Sequence, residues 1–334
     1  MLSVSRSTTG VEFASFADLE RAVVRGMARL PADLDLVVGV PRSGMLAATL
    51  VACHRHIAVS DLDSFLAGRI TGYGKRLHNR QILDTVDDAR RILVIDDSVS
   101  SGRAITEARE RVAGSSLSPE IVSRIEYAAV FATDAGFDLV DHYFEILPAP
   151  RMFAWNMMGS GLLEDACVDI DGVLCVDPTD AQNDDGPAYV EFLRNAEPLH
   201  VPSQRIGHLV TSRLEKYRGE TEAWLADHGV EYGELHMIDL PTAEERRRLG
   251  VHASHKAEVF VATDARVFLE SDAVQSQHIA DRSGRNVICI DTLQLHRPGG
   301  VVRSPRAQPI SRGRRIARKA RRRVRKIVRR LRSR

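Results

Sequence analysis

Ile92-Leu93-Val94-Ile95-Asp96-Asp97-Ser98-Val99-Ser100-Ser101-Gly102-Arg103 is the stretch on which the fold of this chain turns. Four branched apolar residues in succession predict a strand buried on both faces of a parallel sheet. Two carboxylates stand where that strand should end, a small-residue loop runs from Ser98 to Gly102, and a helix is expected from Arg103 onward. Backbone N–H groups of such a loop, with the positive end of the helix behind it, form a phosphate cradle. Acidic side chains just before the cradle accept hydrogen bonds from neighbouring hydroxyls. The combination suits a sugar phosphate, with its diol on the carboxylates and its phosphate on the loop. On shape alone, a plain strand–turn–helix with polar residues at the strand end fits equally well.

The residue types go further than shape. An apolar strand, two acids and a Ser- and Gly-rich loop resemble the ribose-phosphate signature of type I phosphoribosyltransferases. About 55 residues upstream, Leu34-Asp35-Leu36-Val37-Val38-Gly39-Val40-Pro41-Arg42-Ser43-Gly44 is similar to the pyrophosphate loop of that family. The resemblance implies that phosphoribosyl diphosphate is bound, with Asp96 and Asp97 on the ribose hydroxyls. Ser98, Ser100, Ser101, Gly102 and Arg103 would hold the 5-phosphate, and Arg42, Ser43 and Gly44 the leaving diphosphate with its Mg2+. Displacement at the anomeric carbon passes through an oxocarbenium-like state, so positioning and leaving-group charge stabilisation matter most. One departure is Ser101-Gly102-Arg103, where the family ends its loop in Gly-Gly-Thr. Arg103 adds a cation to the cradle or sits on the helix surface.

Around these motifs the chain reads in order. Phe16 to Leu30 repeats at helical spacing and Pro31 ends it, and Met45–Cys53 is the helix behind the pyrophosphate turn. Asp61 to Asp84 falls where the family has a loop closing over the reaction; Gly68, Gly72 and Gly74 suit a flexible lid, with Arg69, Lys75 and Arg76 in reach of phosphate. A solvated hairpin is the rival there. Glu126–Val130 and Phe144–Leu147 are further strands, and Arg151 to Gly161 forms a junction.

A second signature follows at Ala166-Cys167-Val168-Asp169-Ile170-Asp171-Gly172. The Asp-x-Asp-Gly end of this apolar strand resembles the first motif of the haloacid dehalogenase superfamily of phosphatases. Thr211 and Ser212 close an apolar strand, Lys256 opens a helix, and Glu270 and Asp272 end another strand, in the order of the family's three further motifs. The resemblance implies that Asp169 attacks phosphorus and becomes an aspartyl phosphate, and that Asp171 protonates the leaving oxygen and then activates water. Thr211 and Lys256 neutralise the phosphoryl oxygens, Ser212 being the weaker alternative to Thr211. Mg2+ would be held among Asp169, Asp171, Glu270 and Asp272. The family has Asp where Glu270 stands, so which of Glu270 and Asp272 touches metal is open. About 35 residues separate the first two motifs, enough for a small cap only.

The chain has 334 residues with 46 Lys and Arg against 45 Asp and Glu, but the charge is divided. Sixteen of the basic residues, and none of the acidic ones, lie from Arg303 onward, so the body carries a net charge of −15. In that tail Ile316, Ala320, Val324, Ile327, Val328 and Leu331 recur at helical spacing among arginines. This predicts an amphipathic cationic helix suited to an anionic membrane surface, with nucleic acid or a disordered tail as rivals. Four widely spaced cysteines predict buried free thiols in a reducing compartment, and no apolar run approaches the ~18 residues of a membrane span. A soluble cytoplasmic protein, peripheral at the inner membrane face through its tail, is expected.

The fold expected is α/β: two Rossmann-like domains with mostly parallel sheets, residues 1–160 and 161–300, followed by the basic tail, 301–334. Fusing the two resembled activities implies a serial reaction. A phosphoribosyl group passes to an acceptor, the 5-phosphate is removed, and plain ribofuranose remains. This suits a glycan, lipid-linked at the membrane face, and resembles paired domains of bacterial surface-polysaccharide synthesis. A nucleobase phosphoribosyltransferase–nucleotidase and a phosphoribosyl diphosphate-sensing RNA-binding regulator are the alternatives.

Overall fold

The computed structural model describes residues 10–73, 83–183 and 185–300. Its strands are β1 (Glu12–Ala14), β2 (Leu36–Gly39), β3 (Ala58–Asp61), β4 (Ile92–Val99), β5 (Ile125–Ala132), β6 (His142–Ile146), β7 (Arg151–Phe153), β8 (Ala166–Val168), β9 (Ile206–Leu214), β10 (Tyr232–Ile238), β11 (Val267–Glu270), β12 (Val287–Cys289) and β13 (Gln294–His296). Two parallel sheets dominate. The first has the order β3-β2-β4-β5-β6, the second β10-β9-β8-β11-β12-β13, with only β13 antiparallel to its neighbour. Mixed α/β architecture with mostly parallel sheets is therefore observed as expected.

β4 lies between β2 and β5, and Ile92 to Ile95 are wholly buried, which explains why the stretch is apolar without alternation. The strand does not stop at the two acids. It runs through Asp96 and Asp97 to Val99, paired with β5 along the way. The same correction applies to β9, which continues through Thr211 and Ser212 to Leu214. Lys256 does not open its helix, which runs His252–Ala262 and places the lysine one turn in.

The turn after β2 packs close against β4. A Cβ on Gly44 would lie 2.7 Å from the Ile95 carbonyl oxygen and 3.0 Å from Cα of Asp96. Only glycine lets the helix Gly44–Arg55 start so near the strand that carries the acids. Gly102 has φ of 78°, the left-handed region in which glycine pays no Cβ penalty, and it delivers the chain into the helix Arg103–Ala113.

The stretch read as a junction is packed structure. β7 pairs in parallel with β1, and Val11, Phe13, Met152 and Met157 join the apolar core beneath the second sheet. Asn286 donates to the Val11 carbonyl at 3.1 Å, and Arg297 pairs with Glu12 at 2.6 Å. Both sheets thus belong to one compact unit, which ends at Gly300. The tail helix expected beyond it lies outside the described residues, as do Gly74, Lys75 and Arg76 of the expected lid. The part of the lid region that is described is pinned to β3. Val59 and Gly72 exchange backbone hydrogen bonds of 2.9 and 3.1 Å, and Ser60 donates to the Arg69 carbonyl at 3.0 Å. All four cysteines are free thiols, but Cys53 is exposed rather than buried. No helix among the described residues is long and apolar enough to cross a membrane.

Candidate functional site

Parallel strands end together, so the turns after β2 and β4 meet at one rim of the first sheet. Ser43 donates its hydroxyl to Asp97 at 2.7 Å, joining the two motifs directly. The other oxygen of Asp97 accepts the indole N–H of Trp155 at 2.8 Å. Asp96 lies beside it, nearly buried, its Oδ1 accepting the Asp97 backbone N–H at 2.8 Å. Burial, and then repulsion from Asp97, push the Asp96 carboxyl up to about 8. Near neutral pH one member of the pair therefore keeps its proton, and the two acids together can both donate to and accept from a diol.

The loop after β4 lines a cavity of about 330 Å³ with Ser98, Ser100, Ser101, Gly102 and Arg103. Arg103 is mostly exposed and paired with Glu107 at 2.8 Å, one helical turn on. A second cation, Arg151, also lines this cavity, donating to the Val99 and Leu147 carbonyls at 2.9 Å each. Arg42 projects from the turn after β2 and donates to the Asn156 side chain at 2.8 Å.

In the second sheet, β8 is flanked by β9 and β11, and three chemical groups meet at their carboxyl ends. Lys256 is buried, donating to Asp169 at 2.7 Å and to Glu270 at 2.6 Å. Burial opposes charge on this lysine, yet the two carboxylates outweigh it and raise its pKa. One ammonium cannot balance two buried carboxylates. Burial accordingly drives Asp169 well above its ordinary range, with Lys256 opposing and Glu270 adding to the rise. Asp177 and Asp291 are also raised, by burial first and then by acids of this group, Asp171 on the one and Asp272 on the other. An excess of hard carboxylate oxygens without matching positive charge is the donor chemistry that Mg2+ takes, so the residues fit that ion. Glu270 is the acid beside Asp169, whereas Asp272 uses Oδ1 to cap the helix Ala273–Ser283, accepting from Val274 and Gln275.

Asp171 is held differently. Arg213, wholly buried, grips it through Nη2 at 2.7 Å and Nε at 3.1 Å. A substrate that brings its leaving oxygen to Asp171 must therefore compete with Arg213 for this carboxylate. Thr211 is fully buried, its hydroxyl accepting from the Arg213 backbone N–H at 3.2 Å. The Ser212 hydroxyl oxygen is buried with no hydrogen-bond partner.

Arg213, Trp155, Asn156 and Arg151 were not singled out from sequence. Arg213 directly follows Thr211 and Ser212, and a cation there was the available signal. The other three fall in the stretch read as a junction, where only the rarity of Trp marked the site.

A cavity of about 540 Å³ is lined by Phe16, Arg42 and Trp155 from one side and by His200, Asp291 and Leu293 from the other. Its lining thus combines Trp155, which bonds to Asp97, with Asp291, which lies within electrostatic reach of Asp272 and Glu270.

No protein-family model matches the chain, and no curated protein does. Among solved structures, it is similar to a purine phosphoribosyltransferase from Pyrococcus horikoshii Ot3, with 18% identity over 43% of this chain and 92% of that one, at a TM-score of 0.32. A Helicobacter pylori xanthine-guanine-hypoxanthine phosphoribosyltransferase is 16% identical over 43% of this chain and 92% of its own, also at 0.32. Leishmania donovani UMP synthase is 15% identical over 43% of this chain and 28% of its own, at 0.27.

Proposed function

We propose that this chain is a bifunctional enzyme that transfers a 5-phosphoribosyl group from phosphoribosyl diphosphate to a glycan acceptor, lipid-linked at a membrane face, and then removes the 5-phosphate. The observation that carries the reading is the shared cavity of about 540 Å³, whose wall runs from Arg42 and Trp155 to Asp291. The cavity sets Arg42 and Trp155, which serve the first acid pair, in one lining with Asp291, which lies within electrostatic reach of the second acid group. In the transfer step, Asp96 and Asp97 hold the ribose hydroxyls, and the loop Ser98 to Gly102 holds the 5-phosphate. Arg42 and the amides of Ser43 and Gly44 meet the diphosphate, which leaves with the bonding electron pair as the acceptor oxygen attacks the anomeric carbon and its hydroxyl proton passes to the departing diphosphate. In the second step, Asp169 attacks phosphorus and the ribose oxygen departs, taking a proton from Asp171. Water then attacks the aspartyl phosphate, giving its proton to Asp171, while Lys256 and Thr211 hold the phosphoryl oxygens. Mg2+, when bound beside Asp169 and Glu270, supplies charge neutralisation that lets carboxylate and phosphate approach.

The test is the variant Asp169→Asn incubated with phosphoribosyl diphosphate and candidate acceptors. Mass spectrometry should find the phosphoribosylated acceptor accumulating, where the wild type yields a product lighter by one phosphoryl group. A variant that makes no phosphorylated intermediate with any acceptor the wild type modifies ends the serial scheme. One observation favours a second reading. Phe16 and Trp155 line the cavity with rings 5.7 Å apart, an apolar wall that a nucleobase would also fit. A nucleoside as final product would select the nucleobase phosphoribosyltransferase–nucleotidase instead.

A further inference from the structure

Away from both acid groups, the outer edge of the second sheet carries a cluster that neither proposed step uses. β10 is the edge strand, and its register against β9 sets Glu234 opposite His208 and His236 opposite Val210. Glu234 and His236 are two residues apart on one strand and so share a face with His208. Their ligand atoms converge. His208 Nδ1 lies 3.3 Å from His236 Nε2, Glu234 Oε2 lies 3.4 Å from His236 Nε2, and 3.9 Å separates His208 Nδ1 from Glu234 Oε2. Four ligands at 2.0–2.1 Å around a tetrahedral ion stand about 3.3 Å from one another, so these spacings match the edges of such a site. Among the described residues this is the one group of three or more His, Cys, Asp or Glu side chains whose ligand atoms lie within 4.8 Å of one another.

We propose that His208, Glu234 and His236 bind a zinc ion that clasps β10 to β9. Two imidazoles and a carboxylate suit Zn2+ rather than Mg2+, whose preference is for oxygen alone. His208 ligates through Nδ1, which leaves its Nε2 free on the other side of the ring, 3.9 Å from the exposed Asp264 carboxylate. His255, on the helix His252–Ala262, is within electrostatic reach of His236, and its Nε2 is buried without a partner. Three protein ligands leave a fourth position for water. The ion lies about 10 Å along β9 from Thr211, at three residues of strand rise, so its role is to stiffen the strand that positions Thr211 and Arg213.

The experiment uses the full chain stripped of metal with a chelator and then titrated with Zn2+ alone and with Co2+ alone. Wild type should bind one Zn2+ per chain with micromolar or tighter affinity, and Co2+ should give the intense visible absorption of a tetrahedral site. His236→Gln and Glu234→Gln should each weaken binding at least tenfold and remove the thermal stabilisation by Zn2+ seen in wild type. Glu234 is exposed, so its variant remains interpretable if loss of a histidine disturbs folding. Absence of Zn2+ binding in wild type, or binding unchanged in Glu234→Gln and His236→Gln, would overturn the proposal and leave a histidine–histidine hydrogen bond.

Discussion

The indole N–H of Trp155 donates to Asp97 at 2.8 Å, so a residue beyond the last strand of the first sheet fixes an acid in its central strand. The bond holds one carboxylate oxygen while Ser43 holds the other. Trp155→Phe keeps the ring and removes the donor. A hydrogen bond to a charged group contributes about 1.5–3 kcal/mol, which corresponds to roughly ten- to hundredfold in kcat/KM for transfer. Hydrolysis of a simple phosphate ester should be unchanged. Equal loss of both proposed activities in steady-state assays would place Trp155 in the fold rather than at the proposed ribose site.

Asp96 gives the molecule a pH dependence of defined sign. Its carboxyl stands at about 8 in the folded chain against an ordinary 3.8, so between those values the unfolded chain is ionised while the folded one keeps its proton. Folding then takes up a proton, and this group's contribution to stability falls as pH rises from about 4 to about 8. Asp96→Asn keeps an oxygen for the Asp97 N–H and cannot ionise. Relative to wild type it should gain stability as pH rises across that window, by a few kcal/mol at most given its coupling to Asp97. Urea denaturation of both proteins at pH 5 and pH 8 measures this; parallel curves at the two pH values would refute it.

What sequence could reveal here followed from locality. Ile92 to Arg103 and Ala166 to Gly172 each place strand, acids and turn within a dozen residues, so short-range chemistry was enough to mark both rims. Lys256 and Glu270 were legible for the same reason, each standing beside an apolar run of its own element. The partners that complete the sites come from far away in the chain. Trp155 reaches Asp97 across 58 residues and Arg213 reaches Asp171 across 42, and no periodicity encodes such meetings. Strand ends were also misplaced at Asp97 and Ser212. Polar residues suggest a strand terminus, but pairing with a neighbouring strand carries β4 and β9 two residues further. The cluster at His208, Glu234 and His236 needed the register of two strands and had no sequence signature.

The basic tail makes the proposed membrane-face location testable without any structural account of it. Its 16 positive charges oppose a body at −15, and apolar residues recur among them at helical spacing. Each basic residue near an anionic leaflet contributes about 1 kcal/mol, decaying within a Debye length. Intact protein should sediment with vesicles containing acidic lipid, and less so as salt rises. Removal of residues 303–334 should abolish this while both activities on soluble substrates persist. Equal sedimentation of the two forms would exclude the tail as the anchor, and tight binding to RNA with none to lipid would favour the nucleic-acid partner.

Arg213 and Asp171 form a pair in which stability and catalysis are entangled. The guanidinium is wholly buried and also donates to Thr221 and to the Cys175 sulfur at 3.3 Å each. Asp171→Asn, the obvious substitution for testing its role in proton transfer, leaves that cation without a counter-charge. Breaking a buried pair from one side costs about 3–5 kcal/mol, so the variant should be markedly less stable as well as inactive in the proposed phosphatase step. Arg213→Met should be similarly destabilised, with Asp171 then only partly shielded from water. The double variant, Asp171→Asn with Arg213→Met, buries no lone charge and should recover much of the loss. A double-mutant cycle by urea denaturation measures the coupling directly. Additive losses would show that the fork contributes no coupling energy to the fold. A strong coupling would instead require that the phosphatase rates of Asp171 variants be compared only under conditions where each remains folded.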